Sequence, residues 1–487
     1  MSGSASGEID RRRLFVGSCV ALIATSVAFA TVGAIMLALK NEFVLTNEEV
    51  GWIGGAALWG FAVSQLVFAP LCDTLGMRVL LRLAWIGHVA GTVTMVAAGG
   101  FWSLFAGALV IAMANGLVEA ACNPLVATLY PEEKTIWLNR FHVWFPGGIV
   151  LGGLAAFGLD ALGVTAWQLK LALILVPTLA YGYLLLNARF PETEGVQHGV
   201  SVGEMFRATF LTPLMWVMLL AMAMTASLEL GPNRWVPAVL EAGGMPGILV
   251  LVWINGLMAV MRYRAGPAVK RLSPTGLLLG SAFLSGVGLF GLSLGGPGWA
   301  TLAAATVFAL GVCYFWPTML GVVSERVPRS GALGLGLMGT VGMATVGLVT
   351  SPLMGRVADH HANDRMPAVE TVAVMRDAAA LLPDGGDADR AAAARAASEA
   401  LDAFEADGAL PSPQTANALR AITSAGGPEA LAERAAQILG PADNYGGRIS
   451  FRYVVPLSGV LILIFGTLFA RDQARGGYRV ERIGRSA

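Results

Sequence analysis

Charge is scarce in this chain. Of its 487 residues, 13% are Asp, Glu, Lys or Arg, against about 25% in soluble globular proteins. An ordinary water-soluble surface is therefore excluded. Net charge is zero, and no Lys/Arg tract with interleaved aromatics occurs, so nothing points to nucleic acid. Cysteine is scarce too. Cys19, Cys72, Cys122 and Cys313 stand in separate apolar segments, without a CxxC pair or metal-ligand spacing. They read as small packing residues, and neither a metal nor a cofactor is expected. HExxH, Walker and kinase motifs are absent, as are the alternating ten-residue segments of a membrane β-barrel. GLSLG (291–295) and GLGLMG (334–339) imitate a nucleophile elbow and a dinucleotide fingerprint. Neither has the strand context those motifs need, so their glycines read as helix-packing positions and the chain is not expected to be an enzyme.

What is present is long apolar blocks. Hydrophobic residues make up 55% of the chain, and mean hydropathy is +0.66. LFVGSCVALIATSVAFATVGAIMLAL exceeds the roughly 20 residues that cross a ~30 Å hydrocarbon core. The fold class is an all-α polytopic membrane protein. About twelve spans fit the bilayer length, near 14–39, 49–72, 79–98, 101–128, 136–159, 166–187, 213–231, 246–264, 275–295, 299–323, 331–355 and 449–470. The run after Arg11–Arg13 is too long for a signal peptide and reads as an uncleaved first span.

Lys/Arg bias sets the orientation. Arg11 to Arg13, Arg78, Arg82, Lys134, Arg140, Arg189, Arg207, Arg264, Lys270, Arg271, Arg326, Arg329 and Arg471 to Arg485 fall on one side. Both termini are expected in the cytoplasm, with the chain multi-pass in a plasma (inner) membrane. The organisation reads as a six-helix half over 1–190, a linker over 191–212, spans seven to eleven over 213–356, an Ala-rich insertion over 357–447, and the last span with its tail over 448–487. The insertion has no Lys and about twice as many acids as Arg. It is expected outside the cytoplasm, either as short helices with Pro or Asp near their starts and Gly near their ends, or as a disordered segment. APLCDTLGMR after span two, with Asp73, Gly76 and Arg78, has a counterpart in RYRAGPAVKRLSPTG after span eight. Matching basic loops suggest an internal repeat, with these three residues as a conformational gate acting through a charge pair or a helix-end contact.

Polar residues inside the spans are the candidate site. Glu119 stands in GLVEAACNPLVATLY. An intramembrane carboxylate costs about 2.5–3.5 kcal/mol on insertion scales and usually faces a bundle interior or a wet cavity. Asn123 shares its helix face at i+4. The alternative is a protonated Glu bonded to a neighbouring helix. In TIWLNRFHVWFPGG, Asn139 and His142 offer hydrogen-bonding capacity and Trp144 an aromatic face; interfacial anchoring is the alternative for Trp144 and Arg140. TASLELGPNRWVPAVL supplies Glu229, Asn233 and Trp235. His88 is alone and reads as a hydrogen-bonded structural histidine.

These segments carry a resemblance. APLCDTLGMR resembles the cytoplasmic loop motif of the major facilitator superfamily. VEAACNP resembles the ExxxNP signature of the fucose–galactose–glucose:proton symporter family, typified by L-fucose permease. LNRFHVWFPGG is similar to that family's LNxxQxFxxxG, with His142 in place of Gln and Phe145 where Asn is frequent. Glu229, Gly231 and Trp235 keep the spacing of its span-seven motif. WPT (316–318) resembles its FPT, and PLMGRVAD (352–359) its span-eleven ending. One position departs: the family's span-one Asp aligns with Gly33, and no ionisable residue lies between Arg13 and Lys40. The resemblance implies a major facilitator fold of two six-helix halves around a cavity. It implies transport of a small solute, most naturally a monosaccharide, with proton coupling through Glu119. Asn123, Asn139, His142, Glu229 and Trp235 would bind the solute or the proton, and the carrier is expected to be a monomer whose only partners are solute, protons and lipid. The alternatives are a facilitator or exporter of a non-sugar solute, or a membrane sensor that uses the insertion.

Overall fold

The computed structural model describes residues 9–484 apart from 44, 46, 242–246, 297, 383–386 and 412–413. Among the described residues every regular element is helical, and eleven helices are long and apolar enough to cross a membrane. Ile248–Tyr263 is a shorter apolar helix between them. With it the spans number twelve, in two halves of six, as the major facilitator fold requires.

Spans five and ten are broken at points the sequence marks. Span five consists of Lys134–Phe141 and Trp144–Ala161, with His142 at the break. Span ten consists of Gly298–Val312 and Phe315–Arg326. Pro146 and Pro317 stand four residues beyond His142 and Cys313. A proline has no N–H to return to the carbonyl four residues earlier, so both carbonyls lose their ordinary helical donor, and that of His142 keeps only a long bond from Phe145 N at 3.4 Å within its span.

Span eight ends where the sequence places it. Gly247–Tyr263 is followed, after one turn residue, by Ala265–Leu294, which contains a kink at Ser273. The portion after Ser273 is span nine, and the portion before it is a connecting helix that carries Lys270 and Arg271. Arg262 lies in the last turn of span eight and is buried there.

The internal repeat is visible in the backbone. Gly76, in the loop from span two to span three, has φ 82° and ψ 147°. Ser273, at the same place in the second half, has φ 61° and ψ 163°. Glycine adopts this region freely, whereas a residue with a Cβ is strained there. Ser273 also acts as a helix N-cap, accepting from Gly276 N at 3.4 Å, with Pro274 as the first helical residue.

The insertion is helical, which settles that alternative. Ala368–Leu381, Ala388–Asp407, Gln414–Ser424 and the start of Glu429–Ala474 enclose their own core of Met375, Ala393, Ala397, Ala400, Leu419 and Ile422. Asp387 caps the second of these helices, and Gly408 ends it at φ 68°. The boundaries drawn at 356/357 and 447/448 both fall inside continuous helices, Ser351–Ala362 and Glu429–Ala474. The insertion is thus an outward extension of spans eleven and twelve. Gly446 permits their contact, since a Cβ there would lie 2.1 Å from the Ala358 carbonyl oxygen.

The halves meet closely on the face that carries the chain termini. Lys134 Nζ donates to Glu194 and to the Ser324 carbonyl, and Thr135 N donates to Glu325 Oε1 at 2.9 Å. Lys270 pairs with Glu133, and Arg482 with Glu132. Gly321 packs on Thr135, where a Cβ would meet the Thr135 Cα at 2.8 Å. The other expected packing glycines behave similarly: Gly336 and Gly339 of span eleven lie against Ala69 and Gln65 of span two.

Two outcomes are expected. Ser273→Gly removes the strain, about 1–3 kcal/mol, and loses only a few tenths of a kcal/mol as a cap, so it raises the thermal midpoint in detergent. Gly321→Ala pushes spans five and ten apart, so a cysteine at Asn139 reacts several-fold faster with a water-soluble maleimide than in the Gly321 parent.

Candidate functional site

A small cavity lies between the two halves, lined by Phe61, Glu119, His142 and Phe145 of the first and by Glu229, Leu230, Arg262, Trp316 and Met343 of the second. Three aromatic rings and four ionisable side chains therefore share one small space.

Glu119 is 2% exposed, in the middle of span four. The i,i+4 spacing brings Asn123 alongside it, and Asn123 Nδ2 donates to Glu119 Oε2 at 2.7 Å. The other carboxylate oxygen lies 3.5 Å from His142 Nε2. His142 Nδ1 is 3.0 Å from the Leu138 carbonyl. A carbonyl only accepts, so Nδ1 carries the hydrogen of that bond.

Facing this pair is a guanidinium. Arg262 is 1% exposed. It donates to Glu229 Oε1 at 2.8 Å, to the His142 carbonyl at 3.1 Å and to the Cys313 carbonyl at 2.5 Å. Those two carbonyls are the ones released by Pro146 and Pro317. One cation thus joins the span-five break of the first half to spans seven and ten of the second. Around the cavity several buried polar atoms have no protein partner: Glu229 Oε2, His142 Nε2, Asn123 Oδ1 and Trp316 Nε1. Acceptors and a donor stand ready for a solute that both donates and accepts.

The structure thus brings Glu119, Asn123, His142 and Glu229 together. Asn139 stands apart, below the cavity. Its amide donates to the Thr135 carbonyl and to Thr318 Oγ1 at 3.2 Å, in the seam between halves, because it precedes the span-five break by almost a full turn. The side chain of Trp235 lies outside the described residues. His88 is fully buried between Tyr181 Oη at 3.0 Å and Asn115 Oδ1 at 2.8 Å, a structural position. Among the described residues no His, Cys, Asp or Glu group could hold a metal ion, and the four cysteines are free and buried.

At the gate, Asp73 and Arg78 do not bond each other. Asp73 accepts from Thr193 Oγ1 at 2.7 Å, in the linker between halves. It also lies near the start of span eleven, with Oδ2 3.6 Å from where a Gly331 Cβ would stand. Burial raises its carboxyl above the usual range, and the Thr193 hydrogen bond opposes that. Arg78 donates through Nε and a terminal nitrogen to the Leu186 carbonyl at 3.2 and 3.0 Å, at the end of span six. Gly76 supplies the positive φ between them.

Arg262 and Trp316 were not singled out from the sequence. Arg262 falls in the last turn of span eight, a place where a cation is ordinarily a boundary charge. Trp316 entered only as part of a motif. Breaking one side of the buried ion pair is expected to cost about 3–5 kcal/mol, and removing both charges far less. Arg262→Met should therefore lower the thermal midpoint markedly, and Arg262→Met with Glu229→Gln should recover most of the loss.

Comparison with known proteins follows the same lines. The family model described as Major Facilitator Superfamily matches residues 14–352. The tetracycline resistance protein, class E, of Escherichia coli is 25% identical over 306 residues, which are 60% of this chain and 75% of that protein. Monosaccharide-sensing protein 2 of Arabidopsis thaliana is 28% identical over 182 residues, 37% of this chain and only 25% of that protein. A crystal structure of the E. coli fucose:proton symporter FucP has a similar fold, with a TM-score of 0.58 at 14% identity over 92% of this chain and 98% of that one. Twelve apolar spans in two halves, an interior cavity between them and a family match over most of the chain lead to one assignment: the chain belongs to the Major Facilitator Superfamily, whose members are membrane transporters and not enzymes.

Proposed function

We propose that the protein carries a monosaccharide across a plasma (inner) membrane by alternating access of the cavity between its halves, with both termini in the cytoplasm. One observation carries the reading. A buried acceptor and a buried donor without hydrogen-bond partners, Glu229 Oε2 and Trp316 Nε1, line a cavity walled by Phe61, Phe145 and Trp316. A sugar presents hydroxyls that both donate and accept, and C–H faces that lie on aromatic rings. The similarity in part to a monosaccharide-sensing protein, and in fold to a fucose:proton symporter, supports the same class. Glu119 is the residue whose charge changes during the cycle, Glu229 binds hydroxyls through its free oxygen, and Arg262 holds the Glu229 carboxyl group in position.

A second reading has one observation in its favour. The tetracycline resistance protein aligns over a larger part of this chain than the monosaccharide-sensing protein does. In that reading the same cavity carries a non-sugar solute outward. A sensor that uses the insertion is the third.

Purified protein in liposomes separates them. With labelled L-fucose, D-galactose and D-glucose, at least one sugar is expected to exchange saturably across the membrane, and Glu229→Gln to weaken its apparent affinity about tenfold or more through the lost acceptor. Exchange of tetracycline with none of the sugars would favour the second reading. Folded protein that exchanges neither would refute the monosaccharide assignment.

A further inference from the structure

The charges around the cavity do not balance without a proton. Its walls carry two carboxylates, Glu119 and Glu229, and one permanent cation, Arg262. Arg262 neutralises Glu229 directly. Glu119 has no such cation. One of its oxygens takes the Asn123 amide, the other faces His142 Nε2, and the uncharged Trp316 indole lies beside the carboxylate.

The imidazole is held in place. Its Nδ1–H is engaged by the Leu138 carbonyl, and its backbone is pinned through the carbonyl that Arg262 captures. A neutral ring therefore turns a bare Nε2 toward Glu119, and Nε2 is buried without a hydrogen-bond partner. A carboxylate and a bare ring nitrogen facing each other are two acceptors with no hydrogen between them. One proton resolves this in either of two ways. On Nε2 it makes an imidazolium facing a carboxylate; on Oε1 it makes a carboxylic acid that donates to the ring.

We infer that Glu119 and His142 together hold a single proton, and that this pair is the coupling site of the transport proposed above, on which the inference rests. Span one offers no alternative proton carrier, since no ionisable residue stands between Arg13 and Lys40. The groups that face the pair from neighbouring elements are Glu229 of span seven and Arg262 of span eight, already paired with each other. On the helix of Glu119 itself the neighbour is the Cys122 thiol. Loss of the proton leaves one uncompensated buried negative charge, which opposes closure around a neutral solute. A second proton leaves an uncompensated cation next to Arg262. The singly protonated pair is the neutral state, and the cavity closes in it.

Two measurements test this. The first needs no solute. Protons taken up by detergent-solubilised protein between pH 9 and pH 5 are counted with an indicator dye, for the wild type and for Glu119→Gln with His142→Gln, using protein that elutes as one monodisperse peak. The double variant is expected to bind one proton fewer per chain. A difference of zero or of two overturns the shared proton. The second uses liposomes with labelled L-fucose, D-galactose and D-glucose. The wild type is expected to exchange sugar without a pH gradient and to accumulate it up to about tenfold per pH unit, as one proton per solute allows. Measured against its own gradient-free exchange, whatever rate that has, His142→Gln loses both the accumulation and the proton entry reported by a trapped dye. Undiminished accumulation by His142→Gln overturns the coupling role. Absence of exchange in the wild type refutes the monosaccharide reading and leaves the proton count to decide the pair.

Discussion

A guanidinium in the interior of a membrane bundle must be surrounded by acceptors, and the arrangement around Arg262 follows from that constraint. The chain meets it with three of them: the Glu229 carboxylate and the carbonyls of His142 and Cys313. The two carbonyls are available because Pro146 and Pro317 cannot donate back to them. A helix normally hides its carbonyls from a buried cation. Here two proline breaks, one in each half, turn backbone that would otherwise be satisfied into a binding site for one side chain. The same contact fixes the position of His142, orients one oxygen of Glu229 away from the ion pair, and ties the halves together beside the cavity.

Around that contact the bundle divides by chemistry. On the terminal face the halves are held by charged and polar groups at loop ends and by glycine-lined close approaches. Near the cavity the contact is a single buried ion pair with carbonyl bonds, and several polar atoms are left over. Surface ion pairs exchange readily with water and contribute about 0–1 kcal/mol each. The exposed Lys270–Glu133 and Arg482–Glu132 pairs can therefore open at small cost, whereas the buried Lys134 and Glu325 must meet water as the halves part. The buried acceptors need a solute, water or a proton whenever the halves move, which is how a carrier couples its cargo to its motion.

Much of the architecture was legible in the sequence. Block hydrophobicity fixed the spans, Lys/Arg placement paired the loops, and the i,i+4 spacing of Glu119 and Asn123 anticipated a bond that the structure contains. Asn139 was placed too near the cavity because periodicity alone does not show where a helix breaks. The burial of Arg262 was not legible, because it stands in the last turn of span eight, where a cation ordinarily faces the headgroups. The continuity of the insertion with spans eleven and twelve was hidden because a helix that leaves a membrane changes composition without changing conformation. Pro146 and Pro317 were both in view, and each announces a free carbonyl. Only the fold shows that one arginine collects both.

The central claim is that the two halves move as bodies about the cavity. It is tested most directly by distances on opposite faces. Spin labels at Thr74 and Arg271, both exposed at terminal-face loops of different halves, report one side. Labels at Leu162 and Trp299, 80% and 76% exposed at the other ends of spans five and ten, report the other. In a background lacking the four buried cysteines, a shift of pH from 8 to 5 in the presence of saturating sugar should lengthen one distance distribution and shorten the other. Two distributions that stay fixed, or that move in the same direction, would contradict alternating access through this cavity.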